Sequence, residues 1–287
     1  MPPITDHHSD KTTKMIVLGN SGTGKTGQLA SLAAAGYNIR ILDFDNGTDI
    51  LKDLLTTKDP KFRALYPPEC ASRVSYIPLT EKMKLINGKA FPVTAQGWSR
   101  ALRMMENWID GDLKLGHIET WGPQDILVLD STTGCGRAAY YHVLGQNAQL
   151  MNQPTGYDYQ RKIGLAQQLC EELFEMLTAE SIKCNIILNA HINYQTEPGQ
   201  VASNDVEKEH LPQQGFMTIL GRALGPRIPR RFNSVVMTRH FGGGIRKLIT
   251  STSDKVDLKT SAPTRVKREY PIETGLAELF KALRGEG

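Results

Sequence analysis

Short apolar runs of strand length alternate along this chain with longer stretches in which apolar residues recur every three or four positions. The short runs predict β-strands, and the helical spacing predicts α-helices. Strands are predicted at 15–18, 39–43, 73–79, 125–130, 184–190, 234–239 and 245–250. Helices are predicted at 26–35, 94–109, 159–181 and 272–283. Such alternation is typical of an α/β fold, in which a mostly parallel sheet is flanked by helices.

Three segments depart from this alternation. Asn87-Gly88 between two short apolar runs predicts a small surface hairpin at 83–93. The three glycines at 242–244 separate the last two predicted strands, which indicates a C-terminal β-hairpin extension of the sheet. The stretch 193–215 is polar, contains Pro and Gly and lacks periodicity, so it is predicted to be a loop.

The composition fits one globular domain. Of the 287 residues, 40% are hydrophobic and 22% are charged. Since no shift in composition marks a linker, residues 15–287 are predicted to form one domain after a polar tail at 1–14. The tail lacks the apolar core of a secretion signal, and no apolar run of about 18 residues is present, so a cytoplasmic protein that does not bind membranes is expected. Four scattered cysteines fit reduced thiols, and the net charge of +4 does not by itself demand a nucleic-acid partner.

A phosphate-binding loop is predicted between the first strand and the first helix. Residues 19–26 read GNSGTGKT and fit the pattern G-x-x-x-x-G-K-[ST] in its required strand–loop–helix context. Backbone N–H groups of such a loop point at phosphate oxygens, Lys25 would reach the β- and γ-phosphates, and Thr26 would hold Mg²⁺. The predicted phosphate-binding residues are Gly19, Asn20, Ser21, Gly22, Thr23, Gly24, Lys25, Thr26 and Gly27. The alternative is a glycine-rich turn without a ligand.

Two acidic residues at predicted strand ends are candidates for the same site. Asp130 ends the run ILVLD, the pattern of a Walker B strand that delivers a carboxylate to Mg²⁺, although it could instead cap a helix. Asp45 follows the second predicted strand, where a carboxylate could orient or deprotonate the water that attacks the γ-phosphate. Asn46-Gly47 is also a turn signal, so Asp45 could cap the next helix, and the two interpretations are compatible.

His191 and several late basic residues are further candidates. His191 follows a predicted strand, where a neutral imidazole could donate to a γ-phosphate oxygen and couple its loss to a shift of the adjacent loop. The alternative is a histidine satisfied by the backbone at a strand end. Late basic residues could contact the phosphates of a nucleic acid or form a solvated face. The candidates for nucleic-acid contacts are Arg222, Arg227, Arg230 and Arg231.

Four segments together resemble the RecA-like core ATPases, most closely the phage AAA-family ATPases that include single-strand annealing proteins of the Sak type. They are GNSGTGKT at 19–26, ILDFDNGT at 41–48, ILVLDSTT at 126–133 and IILNAHINY at 186–194. The first and third are specific to P-loop enzymes, whereas the second and fourth indicate the RecA branch only when taken together. The family usually carries Glu where this chain has Asp45. Since Asp is one methylene shorter, the resemblance implies slow hydrolysis.

The resemblance implies an ATPase that uses ATP and Mg²⁺ and oligomerises, as a ring or a filament, on single-stranded DNA to promote annealing or recombination. Lys25, Asp45 and His191 would be catalytic, and Thr26 and Asp130 would hold Mg²⁺. Lys267 and Arg268 match the segment in which family members place cations that enter the ATP site of the adjacent subunit. Aromatic residues near 134–158 could stack on bases or pack internally. These aromatic residues are Tyr140, Tyr141, Tyr157 and Tyr159.

Other functions are compatible with the same motifs. A nucleotide-switched loader or assembly factor would bind a protein instead of DNA, and the acidic residues in 193–215 favour it because they repel phosphates. A small-molecule kinase would need an arginine-rich lid, which the sequence does not indicate. If the protein is encoded by a phage, its compartment would be the host cytoplasm, where a single-strand binding protein is a further candidate partner.

Overall fold

The computed structural model describes residues 11–86, 88–145, 157–196, 213–253 and 255–286. Its strands are β1 (Lys14–Leu18), β2 (Asn38–Asp43), β3 (Val74–Pro78), β4 (Met83–Ile86), β5 (Lys89–Pro92), β6 (Trp108–Asp110), β7 (Leu113–Gly116), β8 (Asp125–Asp130), β9 (Asn185–Ala190), β10 (Ile192–Thr196), β11 (Gln213–Met217), β12 (Ser234–His240), β13 (Arg246–Ile249) and β14 (Glu269–Pro271). Its α-helices are α1 (Leu29–Ala34), α2 (Asp49–Thr56), α3 (Pro60–Leu65), α4 (Gly97–Glu106), α5 (Thr132–Gly145), α6 (Tyr157–Thr178) and α7 (Gly275–Arg284). Short 3₁₀ helices lie at Pro68–Arg73, Ile118–Thr120 and Ile228–Arg231.

The main sheet has eight strands in the order β14-β13-β12-β1-β9-β8-β2-β3. The strands from β12 to β3 are parallel to their neighbours, while β13 and β14 pair antiparallel at one edge. The predicted α/β class is therefore confirmed, and β12 and β13 form the predicted hairpin. The loop after β1 leads into α1, and β9 separates β1 from β8. This arrangement is consistent with a RecA-like P-loop NTPase core.

Helices cover both faces of this sheet because successive side chains of a strand point to opposite sides. In β1, Ile16 and Leu18 pack into one apolar cluster with α4, α5 and α6. Met15 and Val17 pack into a second cluster with α1, α2 and α7. Of the helices in the described ranges, none combines the length and the apolar character that a bilayer span requires.

Several element boundaries differ from the prediction. The helix predicted at 94–109 is α4 alone, because Asn107 is extended and Trp108 opens the β6–β7 hairpin. The Trp108 ring is fully buried against Trp121, with ring centroids 5.6 Å apart. The helix predicted at 272–283 is preceded by β14 and begins at Gly275. At Trp108, packing of the aromatic side chain in the core replaces helix by strand, whereas at 272–274 the predicted helix only begins later.

The predicted tail and loop are shorter than expected. Lys14 belongs to β1 and its ammonium donates to the carbonyls of Ile182 and Cys184 at 2.9 Å, so the last residues assigned to the tail are part of the fold. Residues 1–10 lie outside the described residues. Both ends of the predicted loop 193–215 lie in the antiparallel pair β10–β11. Residues 197–212 lie outside the described part of the chain. The hairpin predicted at 83–93 is confirmed as β4–β5.

Candidate functional site

A cavity of about 410 Å³ opens where the parallel strands end at their carboxyl termini. Ligands of open α/β sheets bind at this edge. The cavity is lined by Ser21, Gly22, Gly24, Lys25, Thr26, Gly27, Asp45, Gly47, Ile50, Asp130, His191 and Arg246. The structure thus brings the glycine-rich loop together with Asp45, Asp130 and His191, the three candidates predicted at the ends of later strands.

Glycine is required at two points of the loop. A Cβ atom on Gly19 would lie 2.2 Å from Thr238 Oγ1 and 3.0 Å from the Thr238 carbonyl oxygen. Gly24 has a φ of +101°, and a Cβ there would lie 2.9 Å from Ile272 Cγ1. The loop is therefore packed closely against β12 and the segment before α7. These contacts fix the backbone that would face a phosphate.

Lys25 is buried beneath this loop. Its ammonium donates to the Gly19 carbonyl at 2.7 Å and to the Asn20 carbonyl at 2.9 Å. Burial lowers the pKa of Lys25, and the nearby carboxylates of Asp130 and Asp45 act in the opposite direction. Since an ammonium has three N–H donors, Lys25 can keep both bonds and still donate to a phosphate oxygen.

Thr26 and Asp130 form the only direct side-chain bond between the loop and β8 that the described residues show. The Thr26 hydroxyl donates to Asp130 Oδ2 at 2.6 Å. Burial raises the pKa of Asp130, which is 4% exposed, while the hydrogen bond from Thr26 lowers it. A bound cation would favour the ionised carboxylate. The role of Asp130 as a metal ligand stays a prediction.

The donor chemistry at this bond fits Mg²⁺. Hydroxyl and carboxylate oxygens are hard ligands, and Mg²⁺ binds proteins through one or two such groups while phosphate and water complete its shell. Within the described ranges no group of three or more His, Cys, Asp or Glu side chains could hold a metal. An ion held at Thr26 and Asp130 would take further ligands from phosphate oxygens and water.

Asp43 and Asp45 have different environments although they are two residues apart. The Asp43 carboxylate accepts from the backbone N–H groups of Asp45 and Gly47 at 3.2 Å and from the Thr48 hydroxyl at 3.1 Å. It holds a turn in which Asn46 has a φ of +56°. Asp43 therefore stabilises the turn, a role for which Asp45 was one candidate from the sequence. Asp45 lines the cavity.

Asp45 is held by two residues from neighbouring strand ends. Ser131 donates its hydroxyl proton to Asp45 Oδ2, and His191 Nε2 lies 3.8 Å from the same oxygen. The His191 contact is too long for a hydrogen bond and is electrostatic. The pKa of Asp45 lies below its usual range, chiefly because of His191, while burial raises it and Ser131 lowers it further. A Cβ on Gly134 would lie 2.4 Å from Asp45 Oδ1, so glycine in α5 makes room for this carboxylate.

The side chain of His191 therefore contacts an acidic group of the cavity and is not satisfied by the backbone alone. Its carbonyl oxygen accepts from the Thr218 N–H at 2.7 Å, which ties the end of β9 to the residue after β11. A change at the imidazole can thus reach the β10–β11 hairpin through one residue. The role of His191 as a phosphate sensor stays a prediction.

Ser131 and Arg246 are site residues that sequence reasoning did not assign. Ser131 could have been suspected because it directly follows Asp130. Arg246 Nε donates to the Gly22 carbonyl at 2.9 Å, but 224 residues separate the two in the chain. No local pattern marks such a contact.

The arginines predicted to contact nucleic acid do not line this cavity. Arg227 pairs with Glu171 at 2.8 Å, and Arg231 pairs with Glu175 at 3.1 Å. The 3₁₀ helix Ile228–Arg231 precedes β12 and lies at the amino-terminal edge of the sheet, opposite the cavity. Arg222 and Arg230 are exposed. The α6 carboxylates offset part of the positive charge that the prediction relied on.

The remaining candidates are peripheral to the cavity. Lys267 Nζ lies 3.6 Å from Glu278 Oε2, and both Lys267 and Arg268 are exposed. Their action on a neighbouring subunit stays a prediction. Tyr140 packs against the core and meets Tyr159 edge-on at 6.2 Å, which favours internal packing for that pair. The side chain of Tyr157 and residues 146–156 lie outside the described part of the chain.

Comparisons with solved structures show distant likenesses. No family model matches the chain, and no curated protein matches it. One similar solved structure is described as a prototypical ATPase from the type III secretion system of pathogenic bacteria. It has a TM-score of 0.40 and 14% sequence identity, and the match covers 79% of this chain and 52% of that one. The chain thus spans about half the length of that protein.

Proposed function

We propose that this protein is a Mg²⁺-dependent ATPase of the RecA-like kind. The observation that carries the proposal is the convergence of Lys25, Thr26, Asp130 and Asp45 on one cavity at the carboxyl edge of the parallel strands. Lys25 and the loop amides would bind the β- and γ-phosphates, and Thr26 and Asp130 would hold the metal. When bound, Mg²⁺ neutralises charge on the phosphate oxygens.

Asp45 is the residue best placed to orient the attacking water. Its low pKa keeps it ionised at neutral pH, and the bond from Ser131 limits its rotamers. A carboxylate with a low pKa is a weak base, so its main contribution would be to hold the water through an accepted hydrogen bond. This limitation and the short side chain both favour slow hydrolysis.

Substitution of His191 by alanine should shift the acidic limb of the pH–rate profile to higher pH. His191 is the largest cause of the low pKa of Asp45, so its removal raises that pKa and Asp45 becomes protonated at higher pH. Turnover that depends on the ionised carboxylate is then lost at a higher pH than in the parent. Steady-state phosphate release across the acidic and neutral range measures the shift. An acidic limb at the parental pH would show either that His191 does not set the pKa of Asp45 or that Asp45 does not control the rate.

A more specific part of the proposal is that ATP controls assembly of a homo-oligomer on single-stranded DNA, as in Sak-type annealing and recombination. Support comes from the β12–β13 hairpin, which lies at the same edge of the sheet as the cavity. Phe241 is 48% exposed, and its ring centroid lies 5.2 Å from Arg239 Cζ and 5.5 Å from Lys247 Nζ. An exposed ring can stack on a base while adjacent cations contact phosphates. Lys247 is also 2.5 Å from Glu269, so Arg239 is the stronger phosphate candidate.

The test is ATP turnover and particle size, each measured with and without single-stranded DNA over a range of salt. We expect ATP-dependent DNA binding with a steep salt dependence and a larger particle. Phe241→Ala should weaken binding by about 5- to 150-fold, which corresponds to the loss of about 1–3 kcal/mol of base stacking. Arg230→Ala, at the opposite edge of the sheet, serves as the matched variant. If Arg230→Ala weakens binding and Phe241→Ala does not, the DNA site lies at the amino-terminal edge.

A loader or assembly factor that binds protein is the second candidate. It is favoured by the ion pairs that occupy Arg227 and Arg231. It is also favoured by the acidic residues that the sequence places in 193–215 beside Lys208, which are Glu197, Asp205, Glu207 and Glu209. ATP turnover together with no DNA binding at low salt would support this candidate and overturn the first.

A further inference from the structure

Arg246 is a second permanent cation at the cavity and comes from an element far from the glycine-rich loop. Its Nε atom donates to the carbonyl of Gly22, which lies in the middle of that loop, and its side chain lines the cavity. An arginine stays charged at every pH at which proteins are folded, and its guanidinium has five N–H donors. The bond to Gly22 uses one of them.

The β12–β13 hairpin fixes the position of Arg246. Arg246 is paired in register with His240, and the turn between them is closed by a bond from the Phe241 N–H to the Ile245 carbonyl at 2.9 Å. The three glycines of the turn, 242–244, have positive φ values, which other residues rarely adopt. The tight turn places Arg246 at the first position of β13, directly beside the glycine-rich loop.

Arg246 lies against the loop and is held at two points. The Arg246 carbonyl accepts from the Ile272 N–H at 3.3 Å, and Nε donates to the Gly22 carbonyl. The space beside Gly24 is limited by Arg246 Cδ, because a Cβ on Gly24 would lie 3.6 Å from it. An exposed cation that is anchored at its backbone and at Nε loses less entropy when it binds an anion than a free arginine does.

The charge balance of the cavity favours a second cation. Lys25 faces the carboxylates of Asp130 and Asp45, so part of its charge is already compensated before a polyphosphate enters. A Mg²⁺ ion at Thr26 and Asp130 would offset the carboxylates but not the whole triphosphate. Arg246 is the remaining side chain among those lining the cavity with a permanent positive charge.

We propose that Arg246 is a nucleotide-binding residue whose guanidinium binds phosphate oxygens in the same subunit while Nε holds the loop at Gly22. The inference rests on the proposed function of the cavity and deepens it. Because Arg246 opens β13, bound nucleotide would also fix the hairpin that carries Phe241. Nucleotide and hairpin would thereby be coupled within one chain.

The experiment compares the binding of ATP and of inorganic triphosphate, each with Mg²⁺, by isothermal titration calorimetry. Arg246→Ala should weaken the binding of both ligands by the same factor, roughly tenfold or more, as expected for the loss of a charge-assisted hydrogen bond. Arg246→Gln retains an N–H donor for the Gly22 carbonyl but has no charge, so it should bind both ligands nearly as weakly as Arg246→Ala does. Arg246→Lys should recover part of the affinity. The matched control is Arg63→Ala, an exposed arginine of α3 that does not line the cavity.

The outcomes separate this inference from the function on which it rests. Parental affinity in Arg246→Ala, or full affinity in Arg246→Gln, would overturn the phosphate contact and leave at most a brace for the loop. Weaker binding of ATP with unchanged binding of triphosphate would also overturn it. If the parent binds ATP and Lys25→Ala does not, the proposed function stands whatever Arg246 does. If the parent binds neither ligand, the proposed function itself is overturned.

Discussion

Replacement of Lys25 by alanine is expected to reduce ATP turnover at least about 100-fold, the usual cost of removing one group that stabilises transition-state charge. The ammonium is buried and already bonded to the carbonyls of Gly19 and Asn20. Its loss removes the donor for the phosphates and the cation that faces Asp130 and Asp45. Steady-state phosphate release and ATP binding by calorimetry measure the two effects.

Lys25→Met is the matched variant, because it keeps most of the side-chain volume without the charge. If the loss is chemical, methionine and alanine should be equally inactive, and circular dichroism should show both variants folded. Parental turnover in either variant would remove this loop from the reaction and with it the assignment of the cavity.

Much of the fold could be predicted because the buried strands are short apolar runs that are bounded by clear turn signals. The structure places β8 at 125–130 and β9 within one residue of its predicted start. Parallel strands buried on both faces leave this kind of continuous apolar signal. The sequence does not predict the β10–β11 pair, because Gln213, Gln214 and Gly215 carry no strand signal. The pairing depends instead on contacts between β10 and β11, which are distant in the sequence.

The site could be predicted only where chemistry and position coincide in a short segment. Asp130 was identifiable because one acid ends an apolar run. Asp43 and Asp45 were not separable, since both fit a turn after β2 and only the bonds from Gly47 and Thr48 assign the turn to Asp43. Local patterns do not reveal contacts between residues that are distant in the chain. Ser131 and Asp45 are 86 residues apart, and Arg246 and Gly22 are 224 residues apart.

Two acidic residues of α6 bear on the role predicted for the arginines. Glu171 and Glu175 are four residues apart and therefore share one face of α6. An acidic face of this kind is a candidate partner for a cluster of arginines elsewhere in the chain. Its presence in the sequence makes free cations at Arg227 and Arg231 less expected.

Asp45→Asn is expected to slow ATP hydrolysis by about 10²-fold, the low end of the range of a positioned base, because Asp45 mainly orients the water, while ATP affinity stays within about twofold. Asparagine has nearly the same shape and can still accept from Ser131, but it carries no charge and cannot take a proton from water. The substitution therefore isolates the carboxylate from its packing against Gly134. Single-turnover hydrolysis with saturating enzyme separates the chemical step from binding.

The control for this prediction is Asp49→Asn, which neutralises an exposed acid in the first turn of α2 that does not line the cavity. It changes the net charge equally, so a general electrostatic effect would appear in both variants. A slow chemical step in Asp45→Asn alone places the water-orienting group at Asp45. If both variants hydrolyse ATP at the parental rate, the water is held elsewhere, and the pairing of Asp45 with His191 and Ser131 serves the packing of the strand ends instead.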